Sequence, residues 1–206
     1  MSSDTNIMSK LTTPEQNTSL QSQFLLSMPQ LLDPNFRGTL SYICEHDELG
    51  AMAITINRPS EIMLYELLEQ LGIPVTAENI TTKNQNEEQL IYIGGPVQQD
   101  RGFILHTDQR TWQSTLEINE HMRLTTSKDI LEAIAKGDGP DNYLIALGYA
   151  GWSEGQLEEE LLANAWLNCP ADNEILFHTK SQDKLIKTMQ KLGINSSQLN
   201  GQVGHA

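Results

Sequence analysis

Gly151-Trp152-Ser153-Glu154-Gly155 is the segment whose residue types come closest to a reaction. It has the G-x-S-x-G form of a nucleophile elbow, where glycines leave room for a tight strand-to-helix turn that exposes the serine hydroxyl. Such a serine needs an imidazole to take its proton and an acid to orient that imidazole. Downstream the chain offers Asp172, His178, Asp183 and His205. Asp172 and His178 would have to come from one short unit, and His205 sits in a polar terminal stretch. The competing reading makes Ser153 a helix cap, answered by Gln156 in capping-box spacing.

Glu45-His46-Asp47-Glu48 sets carboxylates beside an imidazole, the donor types of a divalent-cation site. Read as a polar turn, its side chains diverge into solvent, and no metal site is expected. Gly94-Gly95-Pro96-Val97 would let a ligand approach the backbone closely. No Lys-Ser/Thr pair and helix follow it, so the phosphate-loop pattern fails and a structural turn is the default. Asn57-Arg58-Pro59 ends an apolar run, and an arginine there either clamps an anion or pairs with an internal acid. No motif calls for a cofactor.

The elements that must position these groups are short and mixed. Phe24 to Ser27, Thr39 to Cys44 and Ala51 to Ile56 read as strands, the last two forming a hairpin across Glu45 to Gly50. A helix is expected over Ile62 to Leu71, capped by Ser60, striped by Leu64, Leu67, Leu68 and Leu71, and stopped at Gly72. Strands are expected again at Leu90 to Ile93, Gly102 to His106 and Met122 to Thr125. A helix capped by Ser127 runs to Gly137, and Asn142 to Tyr149 reads as a buried strand. Ser153 caps a helix through Ala163, followed by strands at Ala165 to Leu167 and Glu174 to His178 and a helix over Gln182 to Leu192. Phe103-Ile104-Leu105-His106-Thr107 and Ile175-Leu176-Phe177-His178-Thr179 look like sister strands. The early strands have no helices between them, which excludes a regular βαβ repeat. The fold class is therefore α+β: one domain, with a mixed or largely antiparallel sheet free to curl toward a barrel and about four flanking helices.

Residues 1–21 and 195–206 are polar and read as flexible tails around a domain at 22–194, with Thr76 to Gln89 an inserted surface loop. The 206 residues carry 13 Lys plus Arg against 27 Asp plus Glu, a net charge of −14, which repels phosphate backbones and argues against direct nucleic-acid binding. No apolar run is long enough to span a membrane. The first residues lack a signal-peptide pattern. Cys44 and Cys169 are too few for a disulfide scaffold and read as reduced thiols of a cytoplasmic protein, with a thiol sensor as a weaker reading.

Several segments together resemble one bacterial family. They are Phe24-Leu25-Leu26-Ser27-Met28-Pro29 with Asp33-Pro34-Asn35-Phe36, Glu45-His46 with Gly50-Ala51-Met52, and Asn57-Arg58-Pro59. Tyr92-Ile93-Gly94-Gly95-Pro96-Val97, Gly102 to His106, Gly148-Tyr149-Ala150-Gly151-Trp152, Gln156-Leu157 with Glu158 to Glu160, and Asn164-Ala165-Trp166 continue the match. The chain resembles the AlgH/YqgE family of small bacterial cytoplasmic proteins. The resemblance implies one mixed α and β domain, no established activity and no catalytic set to transfer. It directs attention to Asn57, Arg58, Gly94, Gly95, Pro96, His106, Tyr149, Gly151, Trp152 and Gln156 as a binding surface. The expected role is a non-enzymatic binding or regulatory protein that acts through an unknown protein or small-molecule partner, including indirectly on transcription. The alternative is a hydrolase built on Ser153 or on a histidine metal site.

Overall fold

Apolar alternation in the early strands, and the glycines that punctuate the later ones, produce one long curled sheet. The computed structural model describes residues 19–75 and 90–194. The expected loop at 76–89 and the expected tails at 1–18 and 195–206 lie outside the described residues. In chain order the elements are β1 (Gln23–Ser27), β2 (Leu40–Asp47), β3 (Gly50–Thr55), β4 (Pro59–Met63), α1 (Leu64–Gln70), β5 (Leu90–Ile93) and β6 (Val97–His106). There follow β7 (Thr115–Glu117), β8 (Arg123–Thr125), α2 (Lys128–Ala135), β9 (Tyr143–Ser153), α3 (Gln156–Leu162), β10 (Trp166–Pro170), a π-helical turn (Glu174–His178) and α4 (Ser181–Lys191).

The strand order is β10-β1-β2-β3-β9-β6-β8-β7, with β5 also on β9 and β4 on β5. Among the described residues only the β5–β9 pairing is parallel. The expected α+β class with a mostly antiparallel, curled sheet holds. β9 is the spine. Its first half pairs with β5 and β6, and its second half exchanges β5 for β3 on the same edge.

That exchange depends on bare backbone. A Cβ on Gly94 would lie 2.2 Å from the Gly148 oxygen, and one on Gly95 would lie 2.1 Å from the Tyr149 carbonyl carbon. Gly148 bends β9 at φ +73°, where a Cβ would meet the Gly95 oxygen at 2.5 Å. The Gly94 N–H donates to the Leu147 oxygen at 2.8 Å, and the Gly94 oxygen accepts from the Thr55 N–H at 2.8 Å. One residue, through its two flanking peptides, thus joins the ends of β3 and β5 to the bend of β9.

Three apolar clusters follow from the curl. The inner face packs Phe24, Tyr42, Ile54, Phe103, Leu105 and Leu144. α1 and α2 cover the outer face of β5, β6 and β9 through Leu64, Leu68, Ile130 and Ile134. α3 covers the outer face of β2, β3 and β9 through Leu157, with Trp152 and Trp166 beside it. The π-helical turn and α4 close the inner cluster toward the Ile56 end of β3. There Lys184, 2% exposed, donates to the Ile56 and Leu176 oxygens at 3.0 and 2.9 Å.

Several local expectations change. Ser60 lies in β4, and Met63 takes the N-cap position of α1. Residues 97–101 extend β6 as an exposed, irregular run. β7 is a strand the periodicity does not reveal, because three residues are too few to alternate. Glu174 to His178 forms a π-helical turn started by Asp172, whose carboxylate accepts the Glu174 N–H at 2.8 Å. The sister-strand resemblance to Phe103 to Thr107 is therefore a likeness of letters alone. Ser19, Leu20 and Gln21, expected in a free tail, are tied to β2 through His46 and the Cys44 oxygen. A bulge also interrupts β2: Ile43 pairs with Ala53 but Glu45 pairs with Met52, leaving Cys44 as the extra residue.

Gly148→Ala should lower stability by about 3 kcal/mol or more, since it adds a backbone clash to a left-handed conformation. Gly102 has open space at its Cβ position, so Gly102→Ala should stay within about 0.5 kcal/mol of the parent. Urea unfolding of both variants checks this, and equal midpoints would refute the role given to the crossing.

Candidate functional site

The β2–β3 hairpin is tighter than the sequence suggests. Asp47 pairs with Gly50, so the turn is only Glu48-Leu49, and the Asp47 carboxylate accepts the Leu49 N–H at 2.8 Å. Glu45, His46 and Asp47 therefore lie on a strand, where neighbours alternate between faces. Glu45 and Asp47 point to the inner side. His46 points outward, accepts the Leu20 N–H at Nδ1, and meets the Glu158 carboxylate of α3 at 2.7 Å from Nε2. The Glu45 to Glu48 run cannot converge on one cation. Among the described residues no group of three His, Cys, Asp or Glu is placed to hold a metal ion.

Across the sheet the register sets Glu45 beside Met52 and Met52 beside Gly151, then Asp47 beside Gly50 and Gly50 beside Ser153. These residues form one side of an opening into the curled sheet. A cavity of about 410 Å³ is lined there by Glu45, Asp47, Met52, Tyr149, Gly151 and Ser153, among others. A second, of about 260 Å³, lies between Glu45, Met52 and Tyr149 on one side and Arg101, Phe103 and Leu116 on the other. The two adjoin, sharing walls at Glu45, Met52 and Tyr149, and together form the mouth of the curled sheet. Its floor is apolar and aromatic, with the Tyr149 and Phe103 rings edge to face at 5.4 Å. Its rim is charged. Arg101 donates to Thr126 Oγ1 at 2.9 Å and lies 5.6 Å over the Phe103 ring. Sequence reasoning missed Glu45, Asp47, Met52, Phe103 and Arg101 as one group. Glu45 and Met52 stand in one of the family-resembling segments, but that Glu45 and Asp47 share the face of Met52 is signalled only by strand alternation through what reads as a polar turn.

The residues singled out by motif are distributed differently. Tyr149 and Gly151 line the mouth, and Trp152 borders it from β9. Asn57 is a bracket: its oxygen accepts the Leu40 N–H at 2.8 Å and its nitrogen donates to the Gly38 oxygen at 2.9 Å. Arg58 donates to the backbone oxygens of Pro34, Asn35 and Arg37, binding the loop between β1 and β2 instead of an anion. Gly94 and Gly95 are buried in the β9 crossing, with Pro96 exposed beyond them. The Trp152 side chain stacks on Phe36 at 6.1 Å on the outer face. Its indole and that of Trp166 donate to the same Glu160 oxygen at 2.9 and 2.6 Å, while Gln156 donates to the other at 2.9 Å.

Ser153 is the last residue of β9, not a helix cap. Gly155, at φ +72°, is the N-cap of α3. Gln156 reaches back to accept from both the Ser153 N–H at 3.1 Å and its hydroxyl at 3.2 Å. An amide oxygen cannot take the proton a serine nucleophile must lose. Asp172 is committed to Lys191, which with backbone donors holds its carboxyl below the usual range. His178 is exposed at the end of the π-helical turn. Cys44 and Cys169 are free and buried, and burial raises both thiols above their ordinary range, the reverse of a reactive cysteine.

His106 is fully buried and faces no opening. Nε2 shares a hydrogen bond with Thr125 Oγ1 at 2.9 Å, which continues to Thr115 Oγ1 at 2.8 Å. Nδ1 has no partner among the described residues. Burial pushes this imidazole down from 6.5 to about 4, with Arg123 and Arg110 adding to the effect and Asp108 opposing it.

An α+β half-barrel with a charged rim around an apolar mouth is the class of protein these features define. Residues 24–197 match the AlgH-like family, and the chain belongs to it. It is 45% identical over 191 residues to a UPF0301 protein of Thiobacillus denitrificans, covering 93% of this chain and all of that one. It is 49% identical over 189 residues to a UPF0301 protein of Hahella chejuensis, covering 92% and 97%. The solution structure of the AlgH protein from Pseudomonas aeruginosa is 48% identical and superposes with a TM-score of 0.74 over 94% of this chain and all of that one. A crystal structure of a Corynebacterium diphtheriae protein, 19% identical, shares the fold with a TM-score of 0.63 over 86% of this chain and 89% of that one.

The His106 environment predicts a pH dependence. The unfolded chain takes up a proton below about 6.5, which the folded imidazole refuses until about 4. Its contribution is thus fully present above about 6.5 and is lost as pH falls through that window, by about 2 kcal/mol after allowance for screening. Between pH 7.5 and 4.5, His106→Leu should lose about that much less stability than the parent in urea unfolding. Parallel losses would show that His106 titrates normally.

Proposed function

We propose that this chain is a non-enzymatic binding protein that holds a partner in the mouth of its curled sheet. The observation that carries the reading is the mouth itself: an apolar floor of Met52, Phe103, Leu116 and Tyr149 opens to solvent between charged rims. Barrel mouths are a recurrent place for ligands, because the curl supplies concavity without extra elements. The motif residues Tyr149, Gly151 and Trp152 border this surface. Asn57, Arg58, Gly94, Gly95 and Gln156 support it indirectly by fixing β3, β5 and β9.

The net charge of −14 favours a protein or small-molecule partner over a nucleic acid, so an influence on transcription would pass through that partner. Two buried, free thiols suit a reducing cytoplasm. No helix among the described residues is long and apolar enough to cross a membrane.

The test is affinity capture from native cells with the full chain as bait. Met52 is half-buried and lines both cavities, so Met52→Arg places a long cation in the mouth. A partner held by the parent should be lost with Met52→Arg and kept with Leu162→Ser, a substitution at a residue 85% exposed on α3. Melting curves establish that both variants fold. Equal recovery by all three baits would remove the mouth as the binding surface.

A further inference from the structure

Glu45 and Arg101 line the same cavity of about 260 Å³, yet no ion pair among the described residues joins them or engages either one. Arg101 is not loose: its guanidinium is positioned by Thr126, by Gln98 at 3.4 Å, and by the face of Phe103. Along the strand order Met52 of β3 and Tyr149 of β9 lie between the two charges, and Leu116 and Leu124 line the same cavity beyond β6. Asp47 continues the acidic side into the adjoining cavity. The mouth is therefore bipolar, with an acid on one rim, a held cation on the other, and an apolar strip between.

We infer that this mouth takes an extended peptide segment of a partner protein that carries a basic and an acidic side chain on either side of an apolar one. The inference rests on the mouth being the binding surface proposed above. Openness favours a peptide over a small molecule. Glu45, Gln98 and Arg101 are exposed and Met52 and Tyr149 only half-buried, whereas small-molecule pockets enclose most of their ligand. Acid on one rim disfavours nucleic acid. An extended chain repeats one face every second residue and spans roughly 13 Å over four residues, so basic-x-apolar-x-acidic places all three groups on one side. Opposed rim charges then select which segment docks more than they add raw affinity.

The experiment uses the full chain and three fluorescein-labelled pentapeptides with blocked ends: Lys-Thr-Leu-Thr-Glu, Lys-Thr-Leu-Thr-Lys and Glu-Thr-Leu-Thr-Glu. Fluorescence anisotropy should show the parent binding the mixed-charge peptide roughly three- to tenfold more tightly than either like-charged one. Arg101→Glu makes both rims acidic and should move the preference to the peptide with two lysines. Glu45→Lys makes both rims basic and should move it to the peptide with two glutamates. The double variant should restore the mixed-charge preference, and since these rim side chains are exposed, all variants should fold. The same rank order in every variant, or no saturable binding of any peptide, overturns the inference. So does a change of sedimentation mass with Arg101→Glu, which would assign the mouth to a second copy of the chain. Failure of the peptides with continued loss of capture by Met52→Arg rejects the peptide class alone. Failure of both rejects the mouth.

Discussion

The backbone contact between Gly94-Gly95 and Gly148-Tyr149 is the constraint on which the rest of this molecule depends. β9 can serve β5 and β3 on one edge only if two chains pass within side-chain distance of each other. Glycine is the residue that permits this, and one of the three must also adopt a left-handed backbone. From that bend follow the curl of the sheet, the division of the core into inner and outer clusters, and the opening at the far half of β9. A side chain at the crossing would not merely cost packing. It would force the strand to choose one partner.

This gives a physical meaning to the dense motifs of the AlgH-like chain. Asn57 and Arg58 spend their polar groups on backbone oxygens and a backbone N–H of the loops around β1 to β3. Glu160 is enclosed by two indoles and an amide, which joins α3 to β9 and β10. Loss of Asn57 would leave the N–H of buried Leu40 without this partner, and loss of Glu160 would do the same to the indoles of buried Trp152 and Trp166, a cost that fixes residue type with no ligand involved, while Arg58 ties exposed loop oxygens together. Motif density therefore marks where the architecture is tightest. The surface with free charge and free apolar area lies next to it.

The sequence made the class legible because periodicity and punctuation are local. Leu64, Leu68 and Gly72 define α1, and Ile130 to Gly137 define α2, from spacing alone. The hairpin of β2 and β3 is legible in outline for the same reason. Other features depend on distant partners. Glu174 to His178 has strand-like composition, but Asp172 starts a π-helical turn there and Lys184 anchors it from the next helix. Ser153 sits where a cap belongs, yet pairing with Gly50 keeps it in the strand and leaves the capping position to Gly155. Of the candidate site, Tyr149 and Gly151 were visible as motif residues. Arg101 was not, because only the curl brings β6 opposite the β2–β3 hairpin.

The bulge at Cys44 has a consequence for the chemistry of the mouth. Upstream of it, Tyr42 faces inward and Ile43 outward; downstream, Glu45 pairs with Met52 and His46 with Ala51. The extra residue reverses the parity of the strand. In an unbroken ladder Glu45 and Asp47 would lie against α3 among the tryptophans, and His46 would look into the cavity. One inserted residue thus sets the sign of the rim, and it does so through counting, not through any property of its thiol.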